Sequence, residues 1–391
     1  MTPEELKNEL HRCLGCKVKP CEKACPLGVS PHDFIALAKG GDFKSAAAEI
    51  AKRNPLAQTC GLVCPDRFCQ SACIRKRIDT ALEIPCLQAK IMEKGGLPDL
   101  ELPASNDKHA CVVGGGPAGL GALYEFLLNG WNVDIYEKDN KLGGAARLIP
   151  PYRLPPEVLE KEINRLITNE RVNVYLNQEI SDYESMRRQY DALVLALGEP
   201  KRRTLGILGE EESLDYRRYL SSPAIYSYER VAVVGGGEVA LDCAITLKKQ
   251  GSKEVEMFVR RRQEDMRIMA KDFAELEQHK ITIRALSSVT EIRPCDTHYE
   301  LTVISNRINA QGKAEATDAP AIKLSGYDKV IMALGSYFPQ DEIPQDLVYA
   351  GDMSGNCGTI VEAIASGRAA AKQQIRHQEQ ATKNLNQASE A

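Results

Sequence analysis

The chain has 391 residues, 43% of them hydrophobic and 27% charged, with a formal net charge of −4. That length suits two or three domains of ordinary globular composition, and the charge lacks the basic excess of a nucleic-acid binder. No apolar stretch approaches the roughly 20 residues that span a bilayer, and the first twelve residues are too polar for a secretory signal, so a cytoplasmic chain with no membrane or nucleic-acid partner is expected.

The first 100 residues read as short helices joined by cysteine loops. Phe34–Leu37 and Ala46–Ile50 are helical, and Gly40-Gly41-Asp42 between them stops one helix and starts the next. Eight cysteines fall in two runs, Cys13-x2-Cys16-x4-Cys21-x3-Cys25 and Cys60-x3-Cys64-x4-Cys69-x3-Cys73. Pro26 and Pro65 directly follow cysteines. Short loops with several thiolates, and proline after cysteine, are how chains wrap iron–sulfur clusters. Of thirteen cysteines nine precede residue 90, which argues for ligand or redox roles in a reducing compartment, not for a disulfide framework. Zinc is the alternative, although only Cys13 and Cys16 have the paired Cys-x-x-Cys spacing. Cys60 and Cys86 read as spare thiols, and Cys111 as a small core residue. A turn-rich linker, 95–107, follows.

From Lys108 the pattern changes. Cys111-Val112-Val113 reads as a buried strand, 114–119 as a turn, 120–128 as a helix and 132–136 as the next strand. In Gly114-Gly115-Gly116-Pro117-Ala118-Gly119 the first glycine allows a tight turn. Gly116 lets backbone approach a pyrophosphate, and Gly119 lets the helix pack on the sheet. The helix N-terminus offers free N–H groups to the phosphates. Glu137 closes the second strand 21 residues past Gly116, where a carboxylate accepts hydrogen bonds from a ribose. Leu193–Leu197 is a further strand, ending at Gly198.

The same unit recurs about 120 residues later, as strand 231–234, the turn Gly235-Gly236-Gly237-Glu238-Val239-Ala240, helix 238–250 and strand 255–259. Ala240 is a tolerated variant of the third glycine. Here the second strand ends in Arg260-Arg261-Arg262 instead of an acid. Cations at that place suit a ribose 2′-phosphate and hence NADPH; a merely solvated basic turn leaves NADH open. Strand Val330–Leu334 ends at Gly335, and Val348-Tyr349-Ala350-Gly351-Asp352 precedes a helix from about Thr359. An acid after strand and glycine suits flavin ribityl or phosphate oxygens, and the helix N-terminus suits the flavin's pyrimidine end. The polar tail from about His377 is expected to fray.

With these motifs in this order, the chain resembles the small (beta) subunit of bacterial NADPH-dependent glutamate synthase. It equally resembles the N-terminal half of dihydropyrimidine dehydrogenase. The resemblance runs from Cys13 to about Ala371. It takes in both cysteine runs, both glycine motifs, Ile149-Pro150-Pro151-Tyr152-Arg153-Leu154-Pro155, Asp242-Cys243 and Gly351-Asp352. It implies an α/β chain with two Rossmann-like nucleotide-binding domains, for FAD and NAD(P)H, preceded by an α-helical iron–sulfur domain. The implied divisions are 1–104 for two 4Fe–4S clusters, 105–222 with 336–391 for FAD, and 223–335 for NAD(P)H. Gly144, Arg153, Gly198, Gly335 and Thr359 join the residues of the two fingerprints, Arg260, Arg261, Gly351 and Asp352 as implied cofactor contacts.

Carried over from the resemblance, Cys13, Cys16, Cys21 and Cys73 hold one cluster. Cys25, Cys64, Cys69 and a glutamine hold the other. The glutamine matches Gln88, with Cys86 two residues away as the competing ligand. Hydride transfer from nicotinamide to flavin needs orientation and no side-chain acid or base, so no catalytic residue is expected. Thioredoxin reductases share the two-nucleotide plan, but Cys243 stands alone in the second unit, so disulfide reduction is rejected. Nothing in the chain is left over for an FMN barrel or an amide-transfer domain. The expected acceptor is therefore a larger FMN flavoprotein subunit or an electron-carrier protein. A stand-alone reductase of ferredoxin-type carriers and a non-enzymatic redox sensor are the alternatives.

Overall fold

The structure, a computed structural model, describes residues 1–199, 201–221, 228–339, 346–355 and 357–389. Six helices come first: α1 (Pro3–His11), α2 (Pro20–Ala24), α3 (Pro31–Lys39), α4 (Phe43–Ala51), α5 (Ala57–Val63) and α6 (Ile84–Gly95). Then follow β1 (His109–Val113), α7 (Pro117–Leu128), β2 (Asn132–Tyr136), α8 (Pro156–Ile167), β3 (Val172–Tyr175), α9 (Tyr183–Gln189) and β4 (Ala192–Leu195). Next are β5 (Lys201–Arg202), β6 (Leu214–Asp215), α10 (Tyr216–Ser221), β7 (Arg230–Val234), α11 (Glu238–Lys249), β8 (Glu254–Val259), α12 (Ala270–Gln278) and β9 (Thr282–Ala285). The remainder is β10 (Ser287–Cys295), β11 (His298–Ile308), β12 (Ala314–Ala316), β13 (Ile322–Tyr327), β14 (Lys329–Met332), β15 (Ser336–Tyr337), β16 (Val348–Tyr349) and α13 (Ile360–Ser389). Among the described residues no helix is long and apolar enough to cross a membrane.

The chain forms two compact units: Met1–Arg147, Pro151–Pro200 and Phe338–Ala391 make the first, and Leu148–Pro150 and Lys201–Tyr337 the second. The expected boundary at 222/223 lies outside the described residues. The structure counts the segment from Lys201 with the second unit, because Leu214 and Asp215 pair with Ile331 and Met332 of β14.

In the first unit a parallel sheet runs β16-β4-β1-β2-β3. Ala110–Val113 of β1 and Ala192–Leu195 of β4 are all buried, as strands covered on both faces must be. One face carries α7 and α13, whose backbones touch. A Cβ at Gly121 would lie 2.5 Å from Ile364 O, and one at Gly367 would lie 1.8 Å from Ala118 O. The helical segment packs within the same unit. Asp42 caps α4 by accepting from Ser45 N at 3.0 Å, so the stop-and-start expected at Gly40-Gly41-Asp42 is present. Past His377, α13 continues as helix to Ser389. Gln374 Nε2 donates to Leu193 O at 3.1 Å and Gln378 Nε2 donates to Asp191 O, which ties this stretch of α13 to β4.

The second unit has a parallel sheet, β6-β14-β7-β8-β9. An antiparallel layer of β10, β11, β12 and β13 was not anticipated. Its Val289, Ile292, Leu301, Val303 and Tyr327 pack on Ala232, Val234, Phe258 and Met332 of the parallel sheet. A register shift between Val289 and Glu291 breaks the period of two that would have marked β10.

Candidate cluster and dinucleotide sites

Cys13 follows α1, and Cys73 precedes a short 3-10 turn, Ile74–Arg77. Arginines lace these two segments together. Arg75 Nη1 donates to Arg12 O at 3.2 Å, and Arg12 Nη2 donates to Asp79 Oδ1 at 2.9 Å. Cys13, Cys16, Cys21 and Cys73 thereby line one pocket, walled by Pro20, Ile35 and Leu82. Burial pushes the Cys21 thiol up to about 11, and Cys13 and Cys73 add to the shift.

Cys25 and Cys64 end α2 and α5. With Cys69 they form a second neighbourhood. Burial pushes the Cys64 and Cys69 thiols far up; Cys25 raises both further, and Cys21 of the first group also acts on Cys69. Buried thiols resist ionisation, so a bound cationic centre must compensate the thiolates that ligate it. Among the described residues no three His, Cys, Asp or Glu side chains converge on one point as the ligands of a single ion would. Four thiols around one pocket and three in a second neighbourhood are a donor set that suits iron–sulfur clusters.

Gln88 and Cys86 lie two residues apart on α6, about 200° around the helix. Gln88 is buried and turned to α5, where its Nε2 donates to Ala57 O at 2.6 Å. That bond occupies the amide nitrogen and leaves the oxygen as the end available for a ligand. Cys86 is half-buried. Cys60, read as a spare thiol, is buried beside Asn54 and close to Cys25 and Cys64.

The start of α5 is held from a second side by a residue the sequence reading missed. Glu162 of α8 accepts from Gln58 N at 2.6 Å and from Thr59 N at 3.1 Å. It is 1% exposed, and burial pushes its carboxyl up to about 7 against the two amides that favour its charge. A signal existed in the sequence: Glu162 interrupts the apolar stripe Leu159, Ile163 and Leu166 of α8.

The first fingerprint forms a cradle. Gly114 has φ +106°, and a Cβ there would lie 2.3 Å from Ala196 O. A Cβ at Gly119 would lie 1.9 Å from Gly114 O, so the helix rests on the turn as the spacing implied. Gly116 starts α7 with no side-chain cap, ahead of Pro117, and nothing lies nearer than 3.9 Å to a Cβ placed on it. The free N–H groups of the first helical turn and the open space before Gly116 fit a pyrophosphate. Gly144 abuts Gly116, and Gly351 meets Ala118, so both join this cradle. Glu137 is buried at the end of β2 and accepts from Gly115 N at 2.7 Å and Asp139 N at 3.0 Å. Gly198 turns with φ +70° after β4, with open space on its Cβ side. Arg153 is half-buried in the turn before α8.

Asp352 sits in a 3-10 turn, Gly351–Ser354, where burial pushes its carboxyl up to about 6, with Glu199 and Glu362 adding to the shift. Thr359 stands just before α13 and donates through Oγ1 to Glu362 Oε2 at 2.7 Å. The same Glu362 oxygen is 3.0 Å from Arg67 Nη2, in the loop between Cys64 and Cys69. Thus the second cysteine group and the turn expected to face the flavin are neighbours.

In the second unit Gly235 has φ +150° with Ala333 O against it, and Gly237 starts α11 uncapped with open space in front. Glu238 and Val239 open that helix, and Ala240 is fully buried beneath it. Gly335 turns with φ +79° after β14. Arg260 and Arg261 follow β8. Their carbonyls accept from Asn306 Nδ2 at 3.1 Å and Leu286 N at 2.9 Å, which fixes the backbone; Arg260 is exposed and Arg261 half-buried. Arg262 is engaged by Asp265 at 2.9 Å and Glu264 at 3.3 Å. Cys243 is buried within α11.

Residues 108–336 match the pyridine nucleotide-disulphide oxidoreductase family, and residues 1–96 match dihydropyrimidine dehydrogenase domain II, 4Fe-4S cluster. The chain is 28% identical over 407 residues to the NAD-dependent dihydropyrimidine dehydrogenase subunit PreT of Escherichia coli O157:H7, covering 95% of this chain and 94% of that protein. It is 30% identical over 305 residues to the glutamate synthase [NADPH] small chain of Halomonas elongata, covering 71% and 64%. Among solved structures, FprA from Mycobacterium tuberculosis shares the fold, with a TM-score of 0.62 at 17% identity over 72% of this chain and 86% of that one.

Proposed function

This chain belongs to the pyridine nucleotide-disulphide oxidoreductases, here with an N-terminal iron–sulfur segment, and we propose that it is the electron-input subunit of a larger enzyme. It is an NAD(P)H-dependent flavin and iron–sulfur oxidoreductase; the proposal adds two 4Fe–4S clusters, a preference for NADPH and delivery of electrons to a partner protein. FAD, when bound, takes up the two electrons of a hydride and releases them one at a time, and iron–sulfur clusters carry single electrons onward.

The observation that carries the reading is the placement of the cysteines. Cys25, Cys64 and Cys69 neighbour the flavin turn through Arg67 and Glu362, and Cys13, Cys16, Cys21 and Cys73 share a pocket next to them. That order supports a route from flavin to the second group to the first. Gln88 as the eighth ligand is supported by its burial against α5 and its engaged amide nitrogen. NADPH is supported by Arg260 and Arg261, with Arg262 spent on acids; the relatives' names divide between NAD and NADPH. A partner is supported by relatives that are themselves named as subunits or small chains.

The test offers the NADPH-reduced protein two acceptors: a ferredoxin, and an FMN flavoprotein of the dihydropyrimidine dehydrogenase or glutamate synthase kind. Fast transfer to the flavoprotein, abolished by Cys13→Ser while NADPH still bleaches the flavin, is expected. Fast transfer to ferredoxin alone would replace the subunit reading with a stand-alone reductase. No oxidation of NADPH with any acceptor, dyes included, would leave only a redox sensor.

A further inference from the structure

Only four residues, Pro65-Asp66-Arg67-Phe68, separate Cys64 from Cys69. Arg67 stands two residues from Cys69 and three from Cys64. Its guanidinium lies 4.9 Å over the Phe68 ring and reaches Glu362 Oε2 at 3.0 Å. Glu362 belongs to the first turn of α13, and its Oε2 also accepts from Thr359 Oγ1 at 2.7 Å and Gly358 N at 3.3 Å. One carboxylate oxygen therefore joins the loop between two cysteines to the turn that precedes α13.

Arg67 is 53% exposed and Glu362 24%, and pairs at such sites contribute little to folding. Their charges still act on whatever sits between Cys64 and Cys69. Reduction adds a negative charge to a cluster. A cation two or three residues along the chain from its ligands favours the reduced form, and an anion opposes it.

We propose that Arg67 and Glu362 are a positioning pair that tunes the second cluster against the flavin turn, Arg67 raising the cluster's reduction potential and Glu362 lowering it. This rests on the two-cluster reading above. The pair works by opposed charges, so its two members have opposite effects when neutralised, which a merely structural tether would not produce.

The experiment is an anaerobic, mediator-linked redox titration of the holoprotein followed by EPR, with iron measured first. Cys64→Ser and Cys13→Ser assign the signals to the second and first groups. Arg67→Gln is expected to lower the midpoint of the second cluster and Glu362→Gln to raise it. The double variant returns toward the wild type, and Arg67→Lys stays close to it. The first cluster shifts less in every case, and iron content is unchanged. Shifts of the same sign in both single variants, or no shift with full iron, would overturn the tuning role. Loss of iron in both Arg67→Gln and Arg67→Lys would overturn it too, since it would make the side chain a structural tether. Wild-type protein without iron for two clusters would instead overturn the reading on which the inference rests.

Discussion

Glu162 shows how one buried carboxyl links two segments. Burial raises it from its ordinary 4.5 to about 7. Between those values the folded chain keeps a proton that the unfolded chain has lost. The stabilisation is therefore full below pH 4.5 and is lost as pH rises through 7. A shift of this size corresponds to roughly 3 kcal/mol. Urea denaturation of Glu162→Gln at pH 5 and pH 8 should show a smaller loss of stability with rising pH than the wild type shows; equal losses would assign the pH dependence elsewhere. Arg260 and Arg261 carry a separate expectation. Changing both to Ala should weaken NADPH binding by about 1.5–3 kcal/mol for each charged hydrogen bond lost and leave NADH nearly unchanged, as measured by nucleotide titration of the flavin spectrum. Equal loss for both nucleotides would mean that these arginines do not recognise a 2′-phosphate. The glycines of both fingerprints were legible in the sequence because their roles are backbone roles, fixed by spacing. Glu162 and Arg67 were not, because their partners lie 103 or more and 295 residues away in the chain.

Elements here meet through backbone contact at glycine. A Cβ at Gly61 of α5 would lie 2.5 Å from Ala89 N of α6, next to Gln88. Gly61→Ala should force the two helices apart, cost about 1–3 kcal/mol, and lower the iron content of the second group before the first; unchanged stability and iron would show that the helices can slide without harm. In the second unit three strands are cross-linked by Glu256 of β8, which is 5% exposed and held by Arg230 of β7 and Arg284 of β9. Glu256→Ala leaves two cations facing each other across the sheet. It should destabilise by roughly 3–5 kcal/mol, read as a lower urea midpoint, with the clusters of the first unit retained. The parallel strands were legible as short apolar runs ending in glycine. The antiparallel layer was not, because β10 is bulged and β13 presents mostly exposed side chains on the pattern a sequence reader relies on. The stretch of α13 around His377 is tied by Gln374 to Leu193 of β4 and by Gln378 to Asp191 just before it, a tertiary tie with no local signature.

At the scale of the whole chain, the order of motifs carried the functional reading further than any single motif did. Two cysteine runs, a glycine turn, a second glycine turn and a closing Gly-Asp element predicted both the α/β class and the cofactor types. Three-dimensional proximity was added by the structure: the cysteines divide into two adjacent groups, one of which borders the turn before α13. The sequence was silent on that border because it depends on α13 returning to the first sheet after the whole second unit has been threaded.

The most direct test is the content and reducibility of anaerobically purified protein. Iron, sulfide, zinc and flavin are measured, and NADPH is then added while the flavin band is followed. One FAD and about eight irons and eight sulfides per chain are expected, with the flavin bleached promptly by NADPH. Zinc in place of iron, or a bound flavin that NADPH does not reduce, would contradict this reading.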